Sequence, residues 1–153
     1  MGATSSAAVY GKPQGFPIRE DASLLPISPY GASKAASEHY LESFEENHGI
    51  EAVSLRYFNI YGPRQIPSQY AGVISIFGRK TLQRKALEIY GDGSQTRDFI
   101  FISDVIDATV AALEKNLKSR VFNIALGKEI TILKLAKTIQ EVTEAGSFLA
   151  GSR

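Results

Sequence analysis

Ser28-Pro29-Tyr30-Gly31-Ala32-Ser33-Lys34 opens a stretch rich in Ala, Glu, Ser and Lys. The stretch predicts a helix from about Tyr30 to Asn47, stopped by Gly49. Two strand-like runs flank it. Upstream, Ala7-Ala8-Val9-Tyr10-Gly11 reads as the last half of a buried strand running into a loop, and Ala52 to Phe58 downstream is rich in β-favouring residues. The connection from Gly11 to Pro29 holds four prolines and is longer than most loops of compact domains, which marks it as functional or disordered.

The alternation continues. Asn59 to Gly72 reads as a second long loop and Gly72 to Lys85 has helical spacing. Leu87 to Tyr90 and Arg97 to Phe101 read as two short strands around the turn Gly91-Asp92-Gly93. Ser103 stands as N-cap of a helix from Asp104 to Lys115, and Val121 to Ile124 is another strand. Thr131 caps a last helix whose apolar residues Ile132, Leu135, Ala136, Ile139 and Val142 fall near one face. Strands alternating with helices predict an α/β fold with a parallel, doubly wound sheet.

Composition narrows the function classes. The 153 residues are 44% hydrophobic and carry a net charge of +1, so no polybasic field points to nucleic acid or an anionic membrane. No cysteine is present, which removes disulfides, thiolate metal sites and a cysteine nucleophile together. Two histidines, His39 and His48, are too few and too far apart for a zinc site, so no metal is expected. No run approaches the roughly 20 apolar residues of a membrane span, and the first ten residues do not resemble a signal peptide. A cytoplasmic protein is expected.

The chemistry concentrates at the start of the first helix. Tyr30 and Lys34 are four apart and share one face. A lysine ammonium and the positive helix N-terminus both favour the phenolate of a tyrosine acting as general base. About 20 residues upstream lies Thr4-Ser5-Ser6-Ala7-Ala8-Val9-Tyr10-Gly11, and a serine at the carboxyl end of a strand points into the crevice where open α/β sheets bind ligands. Its hydroxyl could hydrogen-bond the substrate oxygen that the tyrosine deprotonates. Asp92 between two glycines reads as a turn residue rather than a ligand, and Arg79, Lys80, Arg84 and Lys85 as a solvated helix face. For Arg97 the plain alternative is a surface ion pair with Asp98.

These pieces, at this spacing, resemble the extended short-chain dehydrogenase/reductase family, in its NAD-dependent epimerase/dehydratase branch. Further motifs follow in family order: Arg56-Tyr57-Phe58-Asn59-Ile60-Tyr61-Gly62-Pro63-Arg64, then Ile89 to Ile100 with Ser103-Asp104-Val105, then Asn123-Ile124-Ala125 and Gly127. The resemblance covers nearly the whole chain and implies NAD as cofactor and a UDP-sugar as substrate. Tyr30 would be the acid/base, and Lys34 would hold the nicotinamide ribose. Ser6, four before the tyrosine of Val9-Tyr10-Gly11, would be the catalytic serine, with Ser5 more plausibly structural. Asn59, the backbone near Val73 and Arg97 would contact the nucleotide diphosphate, a task a guanidinium suits.

By the same resemblance, residues 1–60 form the second half of a Rossmann-like domain that carries the catalytic residues. Residues 61–153 form part of a nucleotide-sugar-binding portion interleaved with the last strands and helices of the core. Dehydratases of this branch place an Asp-Glu pair directly after the catalytic threonine; Ala7 and Ala8 stand there in this chain and can move no proton. That departure favours a 4-epimerase, and the loop from Gly62 to Ile74 resembles UDP-glucose or UDP-N-acetylglucosamine 4-epimerases. The family's glycine-rich NAD loop has no counterpart in the sequence, nor does the family's continuation beyond Ala145 to Arg153. The expectation is a truncated or split enzyme, which a separate N-terminal half could complete; its exposed faces are expected to be apolar or covered by self-association, with Ala35, Ala36, His39 and Tyr40 as candidate contacts. The rival expectation is a non-catalytic remnant that binds a nucleotide sugar or a partner.

Overall fold

A computed structural model of the chain describes residues 2–65, 72–115, 117, 120–143 and 149–151. Residues 66–71 of the loop from Gly62 to Ile74, which resembles those of 4-epimerases, lie outside the described residues, as do 144–148 and 152–153. Two compact units are present: Met1–Phe58 with Ile100–Gly127, and Asn59–Phe99 with Lys128–Arg153.

In the first unit, β1 (Gly2–Ser6), β2 (Val53–Tyr57) and β6 (Val121–Ile124) form a sheet in the order β1-β2-β6, parallel throughout. Helix α1 (Pro29–His48) connects β1 to β2, and α3 (Ile102–Glu114) precedes β6. Successive strand residues face opposite sides. On β2, Arg56 meets α1 through Glu38, while the hydroxyl of Tyr57 lies 2.8 Å from Thr109 Oγ1 of α3. The two helices therefore cover opposite faces, the arrangement of a doubly wound parallel sheet. This explains why Val53 to Arg56 are all buried rather than alternating.

Helix α1 begins one residue earlier than its sequence suggests, because Ser28 Oγ accepts the Gly31 N–H at 3.0 Å and Pro29 fits the first turn. Gly49 ends it in the left-handed conformation at φ 63°. Upstream, the expectation of a strand through Ala7 to Gly11 is corrected. The strand is Gly2–Ser6, and Ala7–Tyr10 is a 3₁₀ turn capped by Ser6 Oγ, which accepts the Ala8 N–H at 3.2 Å. Val9 and Tyr10 favour strands, but here they turn inward and join Ala35 of α1 in a buried apolar cluster. Ala35 thus belongs to the unit's own core and is not open to a partner, whereas Ala36, His39 and Tyr40 are exposed. Helix α3 is also corrected: it starts at Ile102 with Phe101 at the cap position, and Ser103 Oγ donates to its neighbour Asp104 instead of capping.

The second unit contains β3 (Asn59–Tyr61), α2 (Val73–Leu82), β4 (Leu87–Ile89), β5 (Thr96–Phe101, to Phe99), β7 (Glu129–Thr131), α4 (Ile132–Val142) and β8 (Leu149–Gly151). The two strands flanking Gly91-Asp92-Gly93 pair with other partners: β4 with β8 in parallel, and β5 with β7 antiparallel in a sheet ordered β3-β5-β7. Phe77, Leu87, Ile89, Ile132, Leu135 and Ala136 form the core. Thr131 caps α4, its Oγ1 accepting the Lys134 N–H at 3.1 Å. The Gly91-Asp92-Gly93 turn is fastened to the start of that helix: Gly93 O accepts the Leu133 N–H and Gln95 O the Ile132 N–H, both at 3.0 Å. Gly93 sits at φ 73°, and a Cβ there would come within 3.1 Å of Leu133 Cβ.

Gly31 allows α1 to lie directly on the 3₁₀ turn, since a Cβ at this position would be 2.5 Å from Ala8 O, a backbone atom. Alanine normally gains about 1 kcal/mol over glycine inside a helix, but relieving such a clash costs about 1–3 kcal/mol. Gly31→Ala should therefore destabilise the chain, read as a lower urea midpoint with unchanged slope.

Candidate active site

Tyr30, Lys34 and Glu38 follow one another at four-residue steps and form one stripe along α1. Exposure falls along the stripe. Tyr30 is 57% exposed, Lys34 is half-buried and Glu38 is 2% exposed. The Lys34 ammonium lies 5.8 Å from the centre of the Tyr30 ring and donates to Thr4 O of β1 at 2.9 Å. An ammonium has three donors, and Thr4 takes one. Beside an exposed phenol, such a group fits the hydroxyls of a nicotinamide ribose. Ser6 is partly buried at the end of β1, in the turn that α1 covers. The first unit thus gathers Ser6, Tyr30 and Lys34 around the contact between the 3₁₀ turn and the first turns of α1. Ser5 is buried and donates a short hydrogen bond to Glu38 Oε1, a structural role.

Beneath this stripe lies a polar network that reading the sequence missed. Arg56 and Glu38 are buried and paired side-on: Nε donates to Oε1 and Oε2 at 3.0 and 3.1 Å, and Nη2 to Oε2 at 2.6 Å. Arg56 Nη1 donates to the Tyr10 hydroxyl at 2.7 Å and to Glu20 O at 2.9 Å, with the guanidinium carbon 4.9 Å from the centre of the Tyr10 ring. The Tyr10 hydroxyl in turn donates to Asn123 Oδ1 at 2.7 Å, and Asn123 Nδ2 donates to Ile18 O at 2.9 Å. Among the described residues no buried side-chain nitrogen or oxygen lacks a partner. Burial pushes the Tyr10 phenol above its usual range, only partly offset by Arg56. For Arg56, burial acts downward, but the hydrogen bonds to Glu38 and Tyr10 outweigh it and the guanidinium is held more firmly protonated. The available signal was a glutamate four residues after Lys34 on the same face, and an arginine within a run of buried strand residues.

The second unit holds the other candidates. A cleft of about 520 Å³ is lined by Asn59, Val73, Lys80, Glu88, Tyr90 and Arg97, among others. Asn59 Nδ2 donates to Asp98 O at 2.9 Å, tying β3 to β5. Val73 is the first residue of α2, whose N-terminus has no side-chain cap and borders the cleft, a position that suits an anion. Arg97 is exposed and donates Nη1 to Thr96 O at 2.7 Å. Asp98, one residue on and facing the other way, is buried and accepts the Lys128 N–H at 3.1 Å. Lys80 departs from the expected solvated face: it is half-buried, lines the cleft and pairs with Glu88 at 2.9 Å. Asp92 accepts both the N–H and the hydroxyl of Ser94, at 2.9 and 2.7 Å, which holds its carboxyl below the usual range and makes it a turn residue. No helix among the described residues is long and apolar enough to cross a membrane.

The chain belongs to the NAD-dependent epimerase/dehydratase family, whose profile matches residues 3–125. It is 45% identical over 138 residues to a putative UDP-glucose 4-epimerase of Methanocaldococcus jannaschii, covering 90% of this chain and 45% of that protein. The UDP-N-acetylglucosamine 4-epimerase of Methanobrevibacter ruminantium, solved with UDP-N-acetylmuramic acid, superposes with a TM-score of 0.92 at 42% identity. That match covers 98% of this chain and 48% of that one. The UDP-glucose 4-epimerase of Thermus thermophilus, solved with NAD, gives a TM-score of 0.89 at 34% identity, over 99% of this chain and 51% of that one. The chain thus spans about half the length of the relatives it matches. The fold expected from sequence, a partial Rossmann-like parallel sheet in an α/β protein, is the fold these structures share with it. Its homologues are UDP-sugar 4-epimerases and related dehydratases, and NAD is bound in solved structures of the family.

Tyr10→Phe removes one hydroxyl that both donates and accepts inside the network. It should cost about 1–3 kcal/mol by leaving buried groups of Arg56 and Asn123 unpaired. Because folding raises the phenol's pKa, this group's stabilisation is complete below its unfolded value of about 10 and is lost as pH rises through the raised value. Urea unfolding should therefore show a constant gap between wild type and Tyr10→Phe from pH 6 to about pH 9, narrowing above about pH 10.

Proposed function

We propose that the chain carries the catalytic and sugar-nucleotide-binding parts of a UDP-sugar 4-epimerase of the UDP-glucose or UDP-N-acetylglucosamine type. The observation that carries this reading is the α1 stripe, which presents Tyr30 and Lys34 beside the turn that begins at Ser6. Ligands bound by the relatives support it: UDP-glucose in the Thermotoga maritima UDP-glucose 4-epimerase and UDP-N-acetylmuramic acid in the archaeal one.

In this reading the Tyr30 phenolate oxygen takes the proton from the C4 hydroxyl and later returns it to the same oxygen. Ser6 Oγ hydrogen-bonds that oxygen and steadies it as the proton leaves. Lys34, fixed by Thr4 O, keeps a positive charge beside the phenol and offers its remaining donors to the nicotinamide ribose. NAD, which Lys34 would help to hold by its ribose, would supply the hydride acceptor and donor for C4. Between the two transfers the keto sugar turns over, so that C4 is reduced from its other face. Ala7 and Ala8 supply neither acid nor base, which supports epimerisation over loss of water. Asn59, the start of α2 at Val73 and Arg97 hold the diphosphate in the second unit's cleft. Residues 1–60 would then supply the acid/base chemistry and much of 61–153 the nucleotide-sugar contacts.

The test has a binding arm and a turnover arm. Calorimetry of UDP-glucose and UDP-N-acetylglucosamine with the chain should show binding that Arg97→Ala weakens about 10- to 100-fold, as losing a charged hydrogen bond predicts. Tyr30→Phe should leave it intact. With the glycine-rich NAD segment of a relative fused or supplied in trans, Tyr30→Phe should lower kcat about 10²–10⁴-fold and Ser6→Ala toward the lower end of that range. Lys34→Met should lower kcat and weaken NAD together. Binding without turnover in the completed enzyme would identify a sugar-nucleotide-binding module instead, and wild-type kcat in Tyr30→Phe would remove the tyrosine from its role.

A further inference from the structure

The buried network lies directly beneath the proposed catalytic set, and its geometry follows from the sheet register. Ser5, Arg56 and Asn123 are register partners across β1, β2 and β6, so their side chains stand in one row on one face of the sheet. Glu38 is laid over that row by α1 and contacts two of the three: Ser5 through its hydroxyl and Arg56 through the side-on pair. Arg56 Nη1, which also donates to Glu20 O, reaches Tyr10, four residues past Ser6, and Tyr10 passes the chain of hydrogen bonds to Asn123. Ser6 is therefore bracketed. The residue before it is fixed to Glu38, and the turn it caps ends in a tyrosine fixed to Arg56.

The same helix fixes the other members. Glu38 is one turn beyond Lys34, itself one turn beyond Tyr30, and α1 is bound to β1 at adjacent residues, by Lys34 to Thr4 O and by Glu38 to Ser5 Oγ. A rotation or slide of α1 would carry Tyr30 and Lys34 away from Ser6, and the Glu38–Arg56 pair resists both motions because two donors of a planar fork meet one carboxylate. Stability alone does not account for the pair: burying two charges costs about what their attraction returns, and apolar residues of similar volume often serve as well or better.

We infer that Glu38 and Arg56 are positioning residues for the reaction: their ion pair, through Ser5 and Tyr10, sets the place of Ser6 relative to Tyr30 and Lys34. The inference rests on the reading of Ser6, Tyr30 and Lys34 as the catalytic set. It assigns to Glu38 and Arg56 no contact with sugar or cofactor.

The test replaces both charges at once, Glu38→Leu with Arg56→Met, and separately removes one with Glu38→Gln. Two readouts are taken well below each variant's unfolding midpoint, where a residue that only stabilises the fold has no effect on the folded molecules. The first needs no turnover: hydrogen exchange at the Ala8 amide, which donates to Ser6 Oγ, and at the Gly11 amide, which donates to Ala8 O. Both should exchange at least about 10-fold faster in the variants, while core amides of β2 such as Leu55 keep exchange rates matched to the measured global stability. The second is kinetic, in the enzyme completed with an NAD segment. There kcat should fall about 10- to 100-fold, in line with a misplacement of about 1 Å, with KM for the UDP-sugar unchanged. Wild-type exchange at Ala8 with wild-type kcat in a folded variant would overturn the inference, as would a rise in KM alone. If the double variant does not fold, Glu38→Gln decides on the same two readouts. If wild type itself does not turn over, the epimerase reading fails, and the exchange arm still decides whether this pair fixes the serine turn.

Discussion

The Glu38–Arg56 ion pair is the constraint on which the first unit depends. Both side chains are almost fully withdrawn from water, at 2% and 5% exposure, so each charge relies on the other and on the groups around them. The arginine spends Nε and Nη2 on the carboxylate and Nη1 on Tyr10 and the backbone of Glu20. The glutamate also accepts from Ser5. Removing one partner would strand a buried charge at a cost of about 3–5 kcal/mol, a large part of the roughly 5–15 kcal/mol that holds a domain folded. The pair thus joins β1, β2, α1 and the 3₁₀ turn in one contact that gives little net stabilisation while intact and costs heavily when broken.

That constraint lies one turn beyond Lys34 and two beyond Tyr30, which leaves the Tyr30 side chain exposed. In the proposed reading Tyr30 and Lys34 need access to a substrate, and access means weak local packing, so their positions must be set from elsewhere on the helix. The four-residue step of the α1 stripe accomplishes this, with exposure declining from Tyr30 through Lys34 to Glu38. The second unit is built differently. Its core is apolar, from Phe77 and Leu87 to Ile132 and Leu135, its cleft mixes apolar and polar side chains, and on β5 the strand period turns Arg97 outward and Asp98 inward. There the alternation of a strand separates the exposed Arg97 from the buried Asp98 that accepts the Lys128 N–H.

Much of this was legible in the sequence. The helices at 29–48, 73–82 and 132–142 and the strands at 53–57 and 121–124 follow from periodicity and from caps such as Thr131 and Gly49. What was misread has local causes. Ala7 to Tyr10 carries strand-favouring residues, yet Ser6 caps a turn there, and a cap competing with strand propensity cannot be weighed without knowing where the next element packs. Ser103 looks like a cap, but Phe101 already occupies that position in an extended conformation. The strands at 59–61 and 129–131 are three residues each, too short for a period to register. The role of Arg56 was hidden for a different reason. Its partners lie 18 and 46 residues away, and only the register that places Ser5, Arg56 and Asn123 in one row brings them together.

The packing around Ala7 bears on the choice of reaction. Ala7 lies against the buried cluster of Val9, Tyr10 and Ala35, and Ala8 offers its carbonyl to the space that Gly31 leaves open. A carboxylate at position 7 would place a charge against apolar side chains, where it must find a partner or shed its charge. The cations nearest in the network already have partners: Arg56 donates to Glu38, Tyr10 and Glu20 O, and Lys34 donates to Thr4 O. Ala7 therefore sits where a small uncharged side chain packs without needing a partner. The apolar surroundings of Ala7 are consistent with the proposed epimerase reading, in which no proton moves through positions 7 and 8.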